Sequence, residues 1–261
     1  MSQRRAGMKR LSLLLAALLL LSGCAAPAPE PEAPPAPPLV EVYIPDVPEP
    51  PAPPESPAPP VEPELPEPPA DPAAFVRVRD YIPDILVELR YAGADNFTGQ
   101  VIYGFSGAYL RYGTVKKLAA VQSVLAEEGL CLKIWDAFRP PAAQFRLWEA
   151  CPDSRYVANP NKGFSSHSRG NTVDLTLVDG AGEELEMPTG FDDFSARADR
   201  DYGDVSAAAA ENARRLEEAM SAQGFIPYSG EWWHYTDEEP YPVEEQFTPP
   251  AGEDAHGGNP D

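Results

Sequence analysis

The stretch NTVDLTLV, residues 171–178, decides how the fold is interpreted, because apolar and polar side chains alternate along it. Val173, Leu175 and Leu177 fall on one face of an extended chain, while Asp174 and Thr176 fall on the other. A period of two is typical of a β-strand with one face toward a core. The sequence therefore predicts a strand that carries a carboxylate on its polar side.

Two helices stand out on either side of this strand. Residues 113–129 and residues 205–224 have helical apolar spacing, and each segment ends at a glycine. Ser206 is the predicted N-cap of the second helix. The residues predicted to share the buried face of the first helix are Leu118, Val121, Val124 and Leu125.

The remaining elements determine the fold class. The stretches CLKIWD and EWWHYT are predicted strands, and FRPPAAQFRLWEAC is a predicted helix with Pro140 and Pro141 in its first turn. Strands and helices do not alternate regularly, so a doubly wound parallel sheet is not expected. The sequence predicts an α+β fold, a single domain with a mixed, mainly antiparallel sheet flanked by helices.

The amino-terminal segment is typical of a secretory signal. Basic residues up to Arg10 precede an apolar run at residues 11–21, which is short for a membrane span. Leu-Ser-Gly-Cys at residues 21–24 resembles a bacterial lipobox, which implies cleavage before Cys24 and attachment of lipid to its sulfur. An ordinary signal peptide cut elsewhere is the alternative. We expect residues 1–23 to be a lipoprotein signal peptide.

A spacer follows the proposed lipid anchor. Residues 24–74 are rich in Pro, Ala and Glu, a composition that cannot bury enough apolar surface to fold. Repelling glutamates and extended prolines predict a disordered, semi-rigid stalk. We expect a globular domain at residues 75–247, a flexible tail at residues 248–261, and an extracytoplasmic location, lipid-anchored to a bacterial membrane.

The charge and the cysteines limit the partners and the covalent chemistry. A formal net charge of -21 disfavours nucleic acid as a partner, because no basic stripe is present to neutralise phosphates. Apart from Cys24, the chain has only Cys131 and Cys151. Outside the cytoplasm such a pair can oxidise, so a disulfide and two buried free thiols both remain open.

The histidines indicate a candidate metal site. The chain has three histidines, and His256 lies in the predicted tail. His167 precedes Asp174 by seven residues, and His234 follows Glu231 by three. Two imidazoles and one carboxylate suit a catalytic zinc, which keeps one position open for water. Such spacings also arise by chance, and a histidine near a strand is often a hydrogen-bonded structural residue, so both interpretations remain.

Four motifs give a more specific indication. They occur in the order WDAFRP, SSHSRGNTVDLTL, GFDDF and EWWHY. Together they resemble the zinc D-alanyl-D-alanine dipeptidases of the vancomycin-resistance type, within the zinc D,D-peptidases that share a hedgehog-like fold. The resemblance covers residues 75–247. It implies zinc-dependent hydrolysis of the D-Ala-D-Ala dipeptide to two D-alanines.

The resemblance also implies a role for each matching residue. His167, Asp174 and His234 would bind one zinc ion per chain. Glu231 would act as general base toward the zinc-bound water and later deliver the proton to the leaving amine. Arg139 would stabilise the oxyanion of the tetrahedral intermediate.

Three further residues would support substrate binding in such a site. Asp192 and Tyr91 match the acidic and aromatic positions that hold the free amino terminus of a small D,D-dipeptide, and Asp193 is the neighbour with which Asp192 is most easily confused. Asp136 would hold Arg139 in place from behind, without touching the substrate. The alternative for Arg139 is a purely structural ion pair with Asp136.

One departure and two competing functions accompany the resemblance. The family motif Trp-Asp-Gly-Tyr-Arg-Pro has Ala137 and Phe138 here, so a tyrosine hydroxyl near Arg139 is missing. We expect this to affect the rate rather than the reaction type. The competing functions are a zinc D,D-carboxypeptidase that trims peptidoglycan stem peptides and a non-catalytic, zinc-holding lipoprotein that binds the cell wall.

Overall fold

The structure is a computed structural model that describes residues 65–251. The predicted signal peptide, the lipidation site at Cys24, the stalk up to residue 64 and the tail from residue 252 lie outside the described residues. Within residues 65–251, none of the helices combines the length and apolar character needed to cross a membrane.

Seven strands and four helices make up the described domain. In chain order these are β1 Phe75–Arg77, α1 Val78–Tyr81, β2 Leu86–Val87, β3 Tyr109–Arg111, α2 Tyr112–Ala126, β4 Cys131–Asp136, α3 Pro141–Ala150, β5 Thr172–Val178, α4 Ala207–Ala222, β6 Phe225–Pro227 and β7 His234–Asp237. Short 3-10 turns occur at Arg90–Ala92, Ser166–Arg169 and Ala196–Ala198.

The main sheet has five strands in the order β2-β4-β5-β7-β6. Strand β2 pairs with β4 in parallel, and the other three pairings are antiparallel. A separate two-stranded sheet joins β1 to β3. The predicted α+β fold with a mixed, mainly antiparallel sheet is therefore confirmed.

Strand β5 occupies the centre of the main sheet, and every one of its residues is buried. Val173, Leu175 and Leu177 lie in the hydrophobic core, as predicted. Asp174 and Thr176 lie on the opposite, polar face, and they are buried too. A polar residue on a buried face needs a hydrogen-bond partner or a ligand. The polar face of β5 is therefore a candidate binding site and not a solvent-exposed surface.

Helices α2 and α4 pack against the sheet and against each other. Ser206 caps α4 as predicted, since its hydroxyl oxygen accepts a hydrogen bond from Ala209 N at 3.0 Å. Along α2, Leu118, Val121 and Leu125 are buried, but Val124 is 46% exposed. Its predicted place on the buried face was wrong, because a 100° step per residue carries it past the edge of the stripe.

The stretch EWWHYT, predicted as a strand, is extended only from His234 onward, where β7 begins. Glu231 and the two tryptophans lie in the turn ahead of that strand. Helix α3 begins at Pro141, with Pro140 at its N-cap, in agreement with the predicted first turn.

The thiol groups of Cys131 and Cys151 are free, so the disulfide considered from the sequence is not formed. Both residues are half-buried. Cys131 Sγ lies 3.0 Å from Asp84 O and 3.3 Å from Gln122 Nε2, so this thiol has partners other than a second cysteine.

The two ends of the domain meet in an aromatic cluster. The ring of Phe247 stacks on that of Phe75, with centroids 4.3 Å apart, and the ring of Phe138 lies 4.7 Å from that of Phe75. Ahead of Phe75, the carbonyl oxygen of Pro72 accepts a hydrogen bond from Gly113 N at 2.8 Å. Residues before the predicted domain start at 75 thus contact the domain.

Position 170 requires glycine for two reasons: its backbone conformation disfavours other residues, and a side chain would have no room. Its φ of 75° is left-handed, and a Cβ added there would lie 2.5 Å from the Phe75 ring. Gly170→Ala is therefore expected to lower the free energy of unfolding by about 1–3 kcal/mol. The measurement is urea unfolding of metal-free protein, so that ligand binding does not contribute.

Gly104→Ala is the matched control, because Gly104 is exposed and nothing lies within 4 Å of the added Cβ. It is expected to change the stability by less than about 0.5 kcal/mol. Equal effects of the two substitutions would contradict the role assigned to Gly170.

Candidate active site

The three predicted metal ligands come together at the middle of the sheet. Asp174 on β5 and His234 on β7 are direct partners in the antiparallel register, and His167 lies on the turn Ser166–Arg169 that leads into β5. One ligand atom from each residue lies within 4.8 Å of the others. The loop before β5 therefore brings the third ligand to a pair that strand pairing has already formed.

The ring of His167 is oriented by a hydrogen bond on its far side. Its Nδ1 lies 2.9 Å from the carbonyl oxygen of Ala137, so Nδ1 carries the proton and donates it. The lone pair of Nε2 is then free, 3.3 Å from Asp174 Oδ2 and 3.4 Å from His234 Nδ1. A hydrogen bond to the second ring nitrogen is the usual way in which proteins orient a metal-binding histidine.

The carboxylate of Asp174 lacks the partners that a buried group requires. Its Oδ1 is buried and accepts no hydrogen bond within the described part of the chain, although His234 Nδ1 lies 2.9 Å away. Burial would raise the pKa of Asp174, but the imidazoles of His167 and His234 lower it below its usual value. An ionised, unsatisfied oxygen beside two imidazole nitrogens fits a divalent cation, and this donor set suits zinc.

Glu231 lies beside this triad. Its Oε2 is 3.6 Å from His234 Nδ1. The backbone of the turn holds it there, because Glu231 N donates to Tyr228 O at 3.4 Å and His234 N donates to Glu231 O at 3.3 Å. Burial raises the pKa of Glu231, which brings the carboxylate closer to the proton affinity that a base needs near neutral pH.

The two tryptophans between Glu231 and His234 are packing residues. Trp232 and Trp233 are both fully buried. Trp232 Nε1 donates to Thr189 Oγ1 at 3.0 Å, and its ring meets that of Trp135 edge-on at 5.6 Å. Their burial fixes the turn from the core side and leaves Glu231 and His234 facing the cleft.

Arg139 faces the same cleft, and Asp136 holds it from behind. Asp136 Oδ2 accepts hydrogen bonds from Arg139 Nε at 3.0 Å and from Nη2 at 2.5 Å. Burial alone would lower the pKa of Arg139, but the charge of Asp136 raises it well above the ordinary value. The arginine is therefore a fixed positive charge that lines the cleft, and the predicted contact between the two residues is present.

Two residues in this network had no sequence signal. Tyr103 donates to Asp136 Oδ1 at 2.6 Å, and Gln144 Oε1 accepts from Arg139 Nη1 at 3.0 Å. Both side chains are buried. Tyr103 lies in a loop without periodicity, and the role of Gln144 depends on where the first turn of α3 faces, so neither role could be read from the sequence.

Asp192 and Tyr91 form a separate polar pair in the cleft. Tyr91 Oη donates to Asp192 Oδ2 at 2.7 Å. Asp192 has a left-handed φ of 55°, which turns its carboxylate inward, whereas Asp193 Oδ1 accepts from Ser195 N at 2.9 Å within its own turn. Removal from water raises the pKa of Asp192 to about 8, so a bound cation would favour its ionised form.

Phe138, which replaces the motif tyrosine, packs in the aromatic cluster of Phe75 and Phe247. Its ring packs against Phe75 and lies 5.6 Å from Phe247. The side chain therefore belongs to the aromatic cluster, while Arg139 keeps its hydrogen bonds to Asp136 and Gln144.

The cleft that contains these groups has a volume of about 600 Å³. Seven of the residues predicted from the sequence line it: Tyr91, Arg139, His167, Asp174, Asp192, Glu231 and His234. Four large side chains at its rim, Tyr156, Phe164, Ile226 and Tyr228, are exposed. The cleft combines a candidate metal site, a base, a fixed cation and an acidic pocket.

Comparisons with known proteins identify the family of the chain. The profile of the peptidase family described as D-ala-D-ala dipeptidase matches residues 71–249. A D-alanyl-D-alanine dipeptidase of Escherichia coli (strain K12) is 43% identical over 153 residues, covering 59% of this chain and 79% of the relative. A D-alanyl-D-alanine dipeptidase of Enterococcus faecium is 33% identical over 189 residues, covering 64% of this chain and 94% of the relative.

A solved structure is also similar in part. The vancomycin-resistance D,D-pentapeptidase VanY in complex with Zn(II) is 18% identical, with 50% of this chain and 74% of that chain covered at a TM-score of 0.34. A score this low does not define a shared fold. The family profile and the two dipeptidases do define the family, and this chain belongs to the D-Ala-D-Ala dipeptidase family of peptidases.

Proposed function

We propose that the protein is a zinc-dependent dipeptidase that hydrolyses D-Ala-D-Ala to two D-alanines. The observation that carries the proposal is the buried Oδ1 of Asp174, which accepts no hydrogen bond from the described residues and lies beside two histidines, with Glu231 Oε2 at 3.6 Å from His234 Nδ1. The names of the Escherichia coli and Enterococcus faecium relatives supply the substrate class.

Three residues would hold the metal, and Glu231 would move the proton. His167 through Nε2, His234 through Nδ1 and Asp174 through its carboxylate are the ligands. Zinc, when bound, lowers the pKa of water and polarises the scissile carbonyl. Glu231 takes the proton of the attacking water onto a carboxylate oxygen and later gives it to the leaving amine, for which its raised pKa suits it.

Arg139 would stabilise the charge that develops on the substrate oxygen. Its guanidinium is anchored by Asp136 and Gln144, so it need not reorganise when the oxyanion forms. This argues against the non-catalytic alternative, because neither Arg139 nor Glu231 is needed merely to hold a metal ion.

Asp192 and Tyr91 would bind the free amino terminus of the substrate. An ammonium group offsets the cost of ionising the half-buried carboxylate, whereas an acylated amine carries no charge there. This pocket favours a dipeptide over a longer peptide. The exposed aromatic rim, with Tyr156 and Phe164, instead favours the carboxypeptidase alternative, since it offers surface to a longer chain.

The location of the enzyme is a further part of the proposal. Residues 1–24 support export and lipid attachment at Cys24, and the Pro- and Glu-rich composition that follows supports a stalk, which ends before Pro72 because that residue already contacts the domain. An extracytoplasmic dipeptidase anchored to a bacterial membrane would meet its substrate outside the cytoplasm.

Removal of zinc tests the reaction and the cofactor together. Dialysis against a chelator is expected to abolish D-alanine release from D-Ala-D-Ala, and one equivalent of zinc is expected to restore it. D-Alanine release and bound zinc are measured on the same samples. Full activity in metal-free protein would contradict the proposal.

Glu231→Gln tests the base. Turnover is expected to fall by about 10²- to 10⁴-fold, because the amide cannot accept the proton. Zinc content should stay at one per chain, since Glu231 is not among the ligands. Undiminished kcat in this variant would show that another group is the base.

Asp192→Asn tests the substrate pocket with two substrates, D-Ala-D-Ala and its N-acetylated form. The kcat/KM for the free dipeptide is expected to fall by about 10- to 100-fold, as for the loss of a charged hydrogen bond. Hydrolysis of the acetylated form should change little. If the unsubstituted enzyme cleaves the acetylated peptide faster, the carboxypeptidase alternative replaces the dipeptidase.

A further inference from the structure

Both the proposed base and one proposed ligand lie on a single loop. Strand β6 ends at Pro227 and β7 begins at His234, so the connection carries Glu231 in its middle and His234 at its end. Small movements of this loop would displace the two groups together. The contacts that hold this loop in place therefore matter for the proposed hydrolysis.

Arg200 contacts both ends of this loop. Its Nε donates to Tyr228 O at 2.7 Å, and its Nη2 donates to His234 O at 3.0 Å. Its own backbone N donates to Ser229 O at 3.3 Å. Tyr228 O also accepts the long, 3.4 Å hydrogen bond from Glu231 N, so Arg200 shares an acceptor with the residue that would be the base.

The guanidinium of Arg200 is itself fixed from the opposite side. Its Nη1 donates to Glu217 Oε2 on α4 at 3.0 Å and to Tyr235 Oη at 3.1 Å. The guanidinium also lies over the Tyr235 ring, 4.5 Å from its centroid. Tyr202 donates to the same Glu217 oxygen at 3.0 Å.

The backbone next to Arg200 has an unusual conformation. Tyr202 has a φ of 53°, which is uncommon for a bulky residue. Such a conformation persists only where surrounding contacts over-determine it. The bonds among Arg200, Tyr202 and Glu217 supply those contacts.

We propose that Arg200 is a positioning residue that sets the distance between Glu231 and the metal site by tying Tyr228 O to His234 O. The inference rests on the proposed function, because it concerns the zinc and the reaction assigned above. A planar guanidinium can donate in several fixed directions at once. An ammonium cannot bridge the two carbonyls and Glu217 in the same way.

Arg200→Lys tests this role, since it keeps the charge and removes the bridge. The Kd for zinc, measured by chelator competition, is expected to rise by about 10- to 100-fold, as for other residues that orient metal ligands. At saturating zinc, kcat should fall by about 10-fold or more. The KM should stay within about threefold, because Arg139 and Asp192 are unaffected.

Arg214→Gln is the matched control. Arg214 lies over the Tyr202 ring, 5.4 Å from its centroid, on the exposed side of α4. It is expected to leave the zinc Kd and kcat unchanged. An equal loss in both variants would mean that general loosening of this region, rather than the bridge, is responsible, and it would overturn the proposal.

Glu217→Gln covers the case in which Arg200→Lys does not fold. It leaves the two loop carbonyls bonded to Arg200 and weakens the anchor behind it, together with the hydrogen bond from Tyr202 to the same oxygen. The same changes as in Arg200→Lys are expected, but smaller ones: the zinc Kd should rise, kcat should fall, and KM should stay close to that of the parent.

The outcomes for the two proposals are distinguishable. If the parent binds zinc and releases D-alanine while a folded Arg200→Lys matches it, the positioning role is wrong. If Arg200→Lys does not fold and Glu217→Gln matches the parent, the role is also wrong. If the parent neither binds zinc nor releases D-alanine, the proposed function fails.

Discussion

The pairing of Asp174 with His234 across β5 and β7 is the constraint on which the rest of the site depends. The antiparallel register places two possible metal ligands side by side on neighbouring strands, and no loop is needed to bring them together. The fully buried β5 then deprives the carboxylate of water. His167 completes the triad from the turn ahead of the same strand, so the sheet that forms the core also forms the site.

The cleft contains several carboxylates with different partners, and the partners decide their charge. Asp136 accepts hydrogen bonds from Arg139 and Tyr103, so it serves as the anchor of the arginine. Asp174 faces two imidazoles, which lower its pKa and keep it ionised. Asp192 has a tyrosine hydroxyl as its hydrogen-bond partner, and its pKa rises to about 8, which leaves it ready to pair with an incoming cation. Similar groups thus take different roles through burial and neighbours.

Local patterns in the sequence predicted what is local in the structure. The strand NTVDLTLV and the capped helix at Ser206 both follow from spacing over a few residues. Several of the partners that fix the site, by contrast, come from far along the chain. Tyr103 reaches Asp136 across 33 residues, and Arg200 reaches His234 across 34. Such contacts leave no periodic trace, so tertiary packing alone reveals them.

The stacked rings of Phe75 and Phe247 connect the position of Arg139 to the two ends of the domain. Phe138 lies against both rings, one residue before Arg139 along the chain. The carboxyl-terminal segment also reaches the turn that carries His167, since Glu244 N donates to Ser168 O at 2.8 Å. Chain ends are where proteins open first and where proteases cut. Nicking or fraying at the carboxyl end would therefore be expected to loosen the proposed oxyanion-stabilising residue and a proposed metal ligand together, before the hydrophobic core opens.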